Sequence, residues 1–139
     1  MKLQPGLGAK ARDAKALLGR LLEQSVVGIY LLDGDGVIGY INARFAELCG
    51  YSQEEMIGRP FLDFVVDEEV AERRRIFADV AVSQGPGPRM VGWFKAKNGD
   101  RIALLTQSTV ALSDGKPSLI GIAADVTDRY DVMRTLARA

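Results

Sequence analysis

Residues 28–58 read "GIYLLDGDGVIGYINARFAELCGYSQEEMIG": two apolar runs around a glycine-aspartate tetrad, then two short segments with polar starts. Asp33-Gly34-Asp35-Gly36 is a strong hairpin signal, because glycine takes positive φ at little steric cost. Asn42 is placed to cap a short helix that stops at Gly50. Ser52 caps a second, with Glu55 three residues on as its capping-box partner, and Gly58 and Pro60 end it. The stretch therefore predicts strand, strand, helix, helix.

Upstream, "LGAKARDAKALLGRLLEQ" (7–24) sets Leu7, Ala11, Ala14, Leu18 and Leu21 at spacings of four and three, a helical stripe. Two heptads are too few for a free-standing coiled coil, so this helix needs a surface to lie on. Downstream, residues 67–83 predict a longer helix with Val70, Arg74, Phe77 and Ala81 on one face. "GPGP" at 85–88 breaks it. Three strand-like runs follow, "RMVGWFKAK", "RIALLTQSTVAL" and "SLIGIAAD", separated by Asn98-Gly99 and Ser113-Asp114-Gly115. The order describes an α+β domain built around an antiparallel sheet.

The chain has 139 residues, 47% of them apolar, enough for one core. Eighteen basic residues balance eighteen acidic ones, which argues against nucleic-acid binding; "RRR" at 73–75 reads as a solvated helix face. Histidine is absent, so His-based acid-base chemistry, His metal ligands and His-ligated haem are unavailable. A single cysteine, Cys49, excludes an intramolecular disulfide and a Cys-rich zinc site. There is no apolar run near the roughly 20 residues that cross a bilayer, and "MKLQPGLGAKARDAK" lacks a secretory h-region. These features predict a cytoplasmic chain, or a cytoplasmic piece of a larger one, with no membrane contact by this segment.

Alternation along the strands divides their side chains into two sets. One holds Ile29, Leu31, Trp93, Leu105, Ile120 and Ile122; the other holds Tyr30, Leu32, Phe94, Leu104, Thr106, Ser108, Leu119, Gly121 and Ala123. Neither set is polar enough for a wet face. One face is expected under the helices, and the other under the N-terminal helix, a second subunit, or both. The second set mixes large residues with small and hydroxylated ones. That mixture suits either a ligand cavity or a close-packed core whose small residues admit helices.

Four segments together resemble a PAS domain, a sensory module of bacterial-type signalling proteins. "GIYLLDGDGVIGYIN" resembles the family's first hairpin, and "NARFAELCGYSQEEMIGRPF" its N-x-A-F…GYS-x-EE-L-x-G segment. "KAKNGDRIALLTQST" resembles its K-DG hairpin and long strand, and "GIAADVTDRYD" its closing D-I-T-D/E-R motif. The resemblance spans residues 25–131 and implies a five-stranded antiparallel sheet, order 2-1-5-4-3, with helices on one face and the N-terminal helix on or beside the other. It implies three parts: an N-terminal helix (1–24), a sensory domain (25–126) and the start of a signalling helix (127–139). The second set above, with Phe77, would line a ligand pocket, where a trapped metabolite or small carboxylate would be held by Thr106, Ser108, Tyr30 and Arg74, unless the pocket takes no ligand. The first set, with Leu18 and Leu21, would form a homodimer face. The cofactor stays unknown: the haem-binding members' histidine is missing, and "GRPFLDF" lacks the cysteine of photoreactive flavin members. Cys49, where the family commonly has threonine, reads as a small buried residue.

The segment "IAADVTDRYDVM" (122–133) closes the last strand. Thr127 or Asp128 is placed to cap the exit helix, and Asp125 and Arg129 are spaced for an ion pair. Val126, Tyr130, Met133 and Ala137 then suit a two-helix seam. These residues form the expected signal junction of a non-catalytic sensory module joined to an output domain, such as a histidine kinase or cyclic-dinucleotide enzyme. The other readings are a ligand-free dimerisation scaffold and a small α+β enzyme. Against the enzyme, the turn aspartates Asp33, Asp35, Asp100 and Asp114 are explained by turn chemistry.

Overall fold

The structure, a computed structural model, describes residues 16–17, 19–113 and 116–128. Helix α1 covers residues 19–23. Strands β1 (Gly28–Leu32) and β2 (Ile38–Ile41) form the first hairpin, followed by α2 (Ala43–Cys49) and α3 (Gln53–Met56). Two 3-10 turns, Phe61–Phe64 and Asp67–Glu69, lead into α4 (Val70–Ser83). Strands β3 (Met90–Lys95), β4 (Arg101–Ser113) and β5 (Lys116–Asp125) complete an antiparallel sheet of order β2-β1-β5-β4-β3. The last strand thus lies in the middle, hydrogen-bonded to β1 and β4.

Local chemistry accounts for the first half. The Asp33 carboxylate accepts from the Asp35 and Val37 amides at 2.9 and 3.0 Å, and Gly36 turns the chain at φ 81°. Ser52 and Glu55 exchange the reciprocal bonds of a capping box, at 3.0 and 3.1 Å. Asn42 caps α2 by accepting from Phe45 N at 3.0 Å, and it does more. It also accepts from Ile29 N at 2.9 Å and donates to the carbonyls of Leu22 and Val27 at 2.8 and 3.1 Å. One buried amide therefore ties α1, β1 and α2 together.

The inward sheet face packs against the helices through an aromatic cluster. Tyr30 stacks on Phe61 at 4.9 Å, and Phe94 meets Phe61 and Phe45 edge-on at 5.6 and 6.4 Å. Leu32, Ile38, Ile41, Met56 and Leu104 fill the remainder.

Two expectations are corrected. The predicted helix over 67–83 starts with a 3-10 turn, because Glu69 is drawn toward β3, where its carboxylate accepts from Trp93 N at 3.1 Å. The face that α4 turns inward carries Arg73, Ile76, Phe77 and Val80; Arg74 is exposed. The described residues of α1 lie beside the sheet, one of the two placements that the resemblance implies. That helix is held at the β2–α2 side through Asn42 and by Glu23, which accepts from Tyr40 Oη at 2.8 Å and from Gln53 Nε2 at 3.0 Å. Leu21 is consequently exposed, and Leu18 lies outside the described residues.

Candidate functional site

A cleft of about 320 Å³ opens at one end of the sheet. Its walls are the β1–β2 turn (Asp33–Gly36), one side of α4 (Arg74, Phe77, Ala78, Ala81), and Pro117–Leu119 of β5. Of the ten residues expected to line a pocket, Phe77 and Leu119 lie on this cleft. Leu32, Phe94, Leu104 and Ala123 are fully buried in the core instead. The small residue Gly121 seats a ring: a Cβ there would lie 2.1 Å from Tyr30 Cζ. At the centre of the sheet, the mixture of small and large residues therefore serves close packing.

Tyr30, Thr106 and Ser108 gather elsewhere on the inward face, around Arg73. This arginine is buried, 3% exposed, on the first turns of α4. Its Nη1 donates to Thr106 Oγ1 at 3.3 Å, and its guanidinium lies 5.6 Å from the Phe94 ring centroid. Gly92 makes room for it, since a Cβ on Gly92 would fall 1.5 Å from Nη2. Burial pushes the Tyr30 hydroxyl up to about 12, against the opposing pull of Arg73 and a hydrogen bond with Ser108. Burial likewise lowers the pKa of Arg73, opposed by the charges of Tyr30, Glu69 and Glu72.

Sequence reasoning chose the neighbouring Arg74 and missed Arg73. The available signal was the pair of inward hydroxyls, Thr106 and Ser108, which need polar partners in a core, together with a glycine on the strand opposite. Cys49 is fully buried, and desolvation, then the charge of Asp125, raises its thiol to about 12. Among the described residues no group of three or more His, Cys, Asp or Glu side chains is arranged to hold a metal, and no helix is long and apolar enough to cross a membrane.

The end of β5 is tied to β4. The Asp125 carboxylate accepts from Thr127 N at 2.9 Å and from the Thr127 hydroxyl at 2.6 Å. The same hydroxyl oxygen accepts from Ala103 N at 3.0 Å, and Val126 N donates to Ala103 O at 3.0 Å. Asp125 thus accepts from Thr127, whose hydroxyl is engaged with β4; the amides that Thr127 or Asp128 would cap lie outside the described residues. Asp128 is exposed; Arg129, Tyr130, Met133 and Ala137 lie outside the described residues.

On the outer face, Ile29 pairs with Ile122 and Leu31 with Ile120 across β1 and β5. Ile29 is buried, Leu31, Trp93 and Leu105 are half-buried, and Ile120 and Ile122 are 39% and 50% exposed.

The model of the PAS fold matches residues 16–126. Phytochrome C of Arabidopsis thaliana is 36% identical over 59 residues, which are 42% of this chain and 5% of that protein. The chain thus corresponds to a small fraction of the curated relatives' length. A PAS domain of an HTR-like protein from Haloarcula marismortui superposes with a TM-score of 0.74 at 21% identity, over 84% of this chain and 95% of that one. A domain of a sensory box sensor histidine kinase/response regulator from Geobacter sulfurreducens gives 0.67 at 24% identity, over 86% of this chain and all 100% of that one. A 2-1-5-4-3 sheet cradled by α2–α4, matched along most of its length by that family model, makes this chain a member of the PAS family.

Proposed function

We propose that this chain is a sensory and dimerisation module that relays its state through the Asp125–Thr127 junction to a covalently linked output domain, such as a histidine kinase. PAS domains often dimerise and are linked to output domains in full-length proteins. In this reading residues 25–126 are the cytoplasmic sensory domain, 1–24 form its N-terminal helix, and 127–139 begin the signalling helix. The observation that carries it is the clasp of Asp125 and Thr127 on Ala103. The clasp sits where the central strand gives way to the exit segment, so a shift between β4 and β5 changes how the chain leaves the sheet. The proposed dimer face is the outer stripe of Ile29, Leu31, Trp93, Leu105, Ile120 and Ile122, whose exposed isoleucines pairing would remove from water.

The test is a fusion of the chain to a histidine kinase. Thr127→Val keeps the side-chain shape and removes the hydroxyl bonds. Its autophosphorylation should depart from that of the unmodified fusion while the circular dichroism spectrum stays the same; unchanged kinase output in a folded variant would refute the relay. Ile120→Ser with Ile122→Ser should weaken self-association in sedimentation equilibrium. A second reading, the ligand-free scaffold, is favoured by the ring cluster of Tyr30, Phe45, Phe61 and Phe94 that fills the middle of the inward face.

A further inference from the structure

Residues 67–73 run beside β3, the edge strand, and are held there mainly by polar groups. Asp67 pairs with Lys95 at 3.1 Å, Glu68 pairs with Arg101, and the Glu69 carboxylate accepts from Trp93 N at 3.1 Å. The two ion pairs are exposed, and water and salt screen such pairs to a small net contribution. Besides half-buried Val70, the inward anchor is Arg73, the one charged side chain that is buried among the described residues. It is a poor anchor. Nη1 bonds to Thr106 and the Phe94 ring covers one face, but Nε and Nη2 lie against Gly92 with no hydrogen-bond partner. Glu69 is engaged with Trp93 N and Glu72 is exposed, and neither forms an ion pair with Arg73. An arginine keeps its charge on burial, so this edge gains its missing partners by reaching water. The flanks differ. Val65 and Val66 are buried before the segment; after it Val80 is buried and Phe77 rests on Phe61 at 5.8 Å between ring centroids.

We infer that residues 67–73 form a built-in release: they unseat from β3 as one unit, hinging at the apolar flanks, and carry Arg73 from the core into water while the rest of the fold stays closed. Local openings arise where buried apolar contacts are few, as they are along this seam. Trp93 links the release to the sheet. Its backbone N–H holds Glu69 in the closed form, and its side chain lies on the outer face, so unseating frees the backbone directly behind that face. The inference does not depend on the relay at Asp125 and Thr127, and it is measured on the chain alone.

Native-state amide hydrogen exchange, read by NMR and corrected for intrinsic rates, tests it. The Trp93 amide reports the seam, and the Ile29 amide, bonded to buried Asn42, is a reference remote from it. Trp93 should exchange about tenfold or more faster than Ile29, at a rate that low urea leaves unchanged, as a small local opening requires. Arg73→Met replaces the charge with an apolar chain and should slow Trp93 about tenfold relative to Ile29. Thr106→Val takes away the one hydrogen bond of the guanidinium and should speed Trp93 about tenfold on the same scale. Simple loss of packing would speed exchange in both variants, so the opposite signs identify the release; Thr106→Val decides the matter if the methionine variant does not fold. Trp93 exchange as slow as that of Ile29, or an unchanged ratio of the two rates in either folded variant, overturns the inference.

Discussion

Replacing Asn42 with Ala should cost far more than replacing the other helix cap, Ser52. Asn42 is fully buried, and its side chain makes four hydrogen bonds, to backbone groups of α1, β1, α2 and the loop residue Val27. Losing the cap itself costs about 1 kcal/mol. The Ile29 amide is then left buried without its side-chain acceptor, which adds about 1–3 kcal/mol, and the loosened Leu22 and Val27 carbonyls add to that. The expected total is about 3 kcal/mol. Ser52 caps α3 in an exposed position, so Ser52→Ala should cost about 0.5–1 kcal/mol. Urea unfolding followed by the fluorescence of Trp93 measures both. Asn42→Asp sharpens the test. It retains the accepting oxygens but faces a carboxylate toward two carbonyls, which raises its folded pKa above the ordinary value of about 3.9. The variant should therefore be closest to wild type below that value and lose stability as pH rises through the folded pKa. Equal costs for Asn42→Ala and Ser52→Ala would refute the claim that Asn42 links elements beyond capping α2.

Other outcomes follow from the same geometry. Burial raises Tyr30 from 10.0 to about 12, so the folded state holds a proton that the unfolded state releases; stability should fall between those values, by about 2–3 kcal/mol in all, and the Tyr30→Phe variant should show a shallower fall in urea titrations across alkaline pH. Gly121→Ala drives a Cβ into the Tyr30 ring and should destabilise by about 1–3 kcal/mol, whereas Gly39→Ala, 3.7 Å from its nearest neighbour, should be near neutral by thermal denaturation. Cys49, buried and raised to about 12, should resist a thiol reagent at pH 8 in the native state and react promptly in denaturant; fast native labelling, read by mass spectrometry, would contradict its placement.

The turns and caps were legible because each is settled within a few residues. Asp33 finds its amide partners two and four positions on, and Ser52 and Glu55 find each other at three. The sheet faces were legible because strand periodicity is fixed at two: every inward-set strand residue is buried, while the outward set runs from buried Ile29 to exposed Ile122. Helix α4 resisted the same treatment. Three consecutive arginines straddle the edge of its inward stripe, and a spacing of three or four does not say which of them turns in. That choice rests on Gly92 and Thr106, which lie on strands far along the chain. The cleft was illegible for a related reason: its walls come from the first turn, the middle helix and the last strand, and no local pattern encodes their meeting.

The position of β5 has a consequence for how the chain reaches its fold. Gly28 pairs with Ala123, and Leu104 with Asp125, so the strand translated last joins the two halves of the sheet. Before it emerges from the ribosome, β1–β2 and β3–β4 are separate hairpins, each marginal alone in water. Closing such long loops makes assembly slow relative to helical domains. Until β5 is made, the inner edges of β1 and β4 both stay open, and its arrival closes the two together.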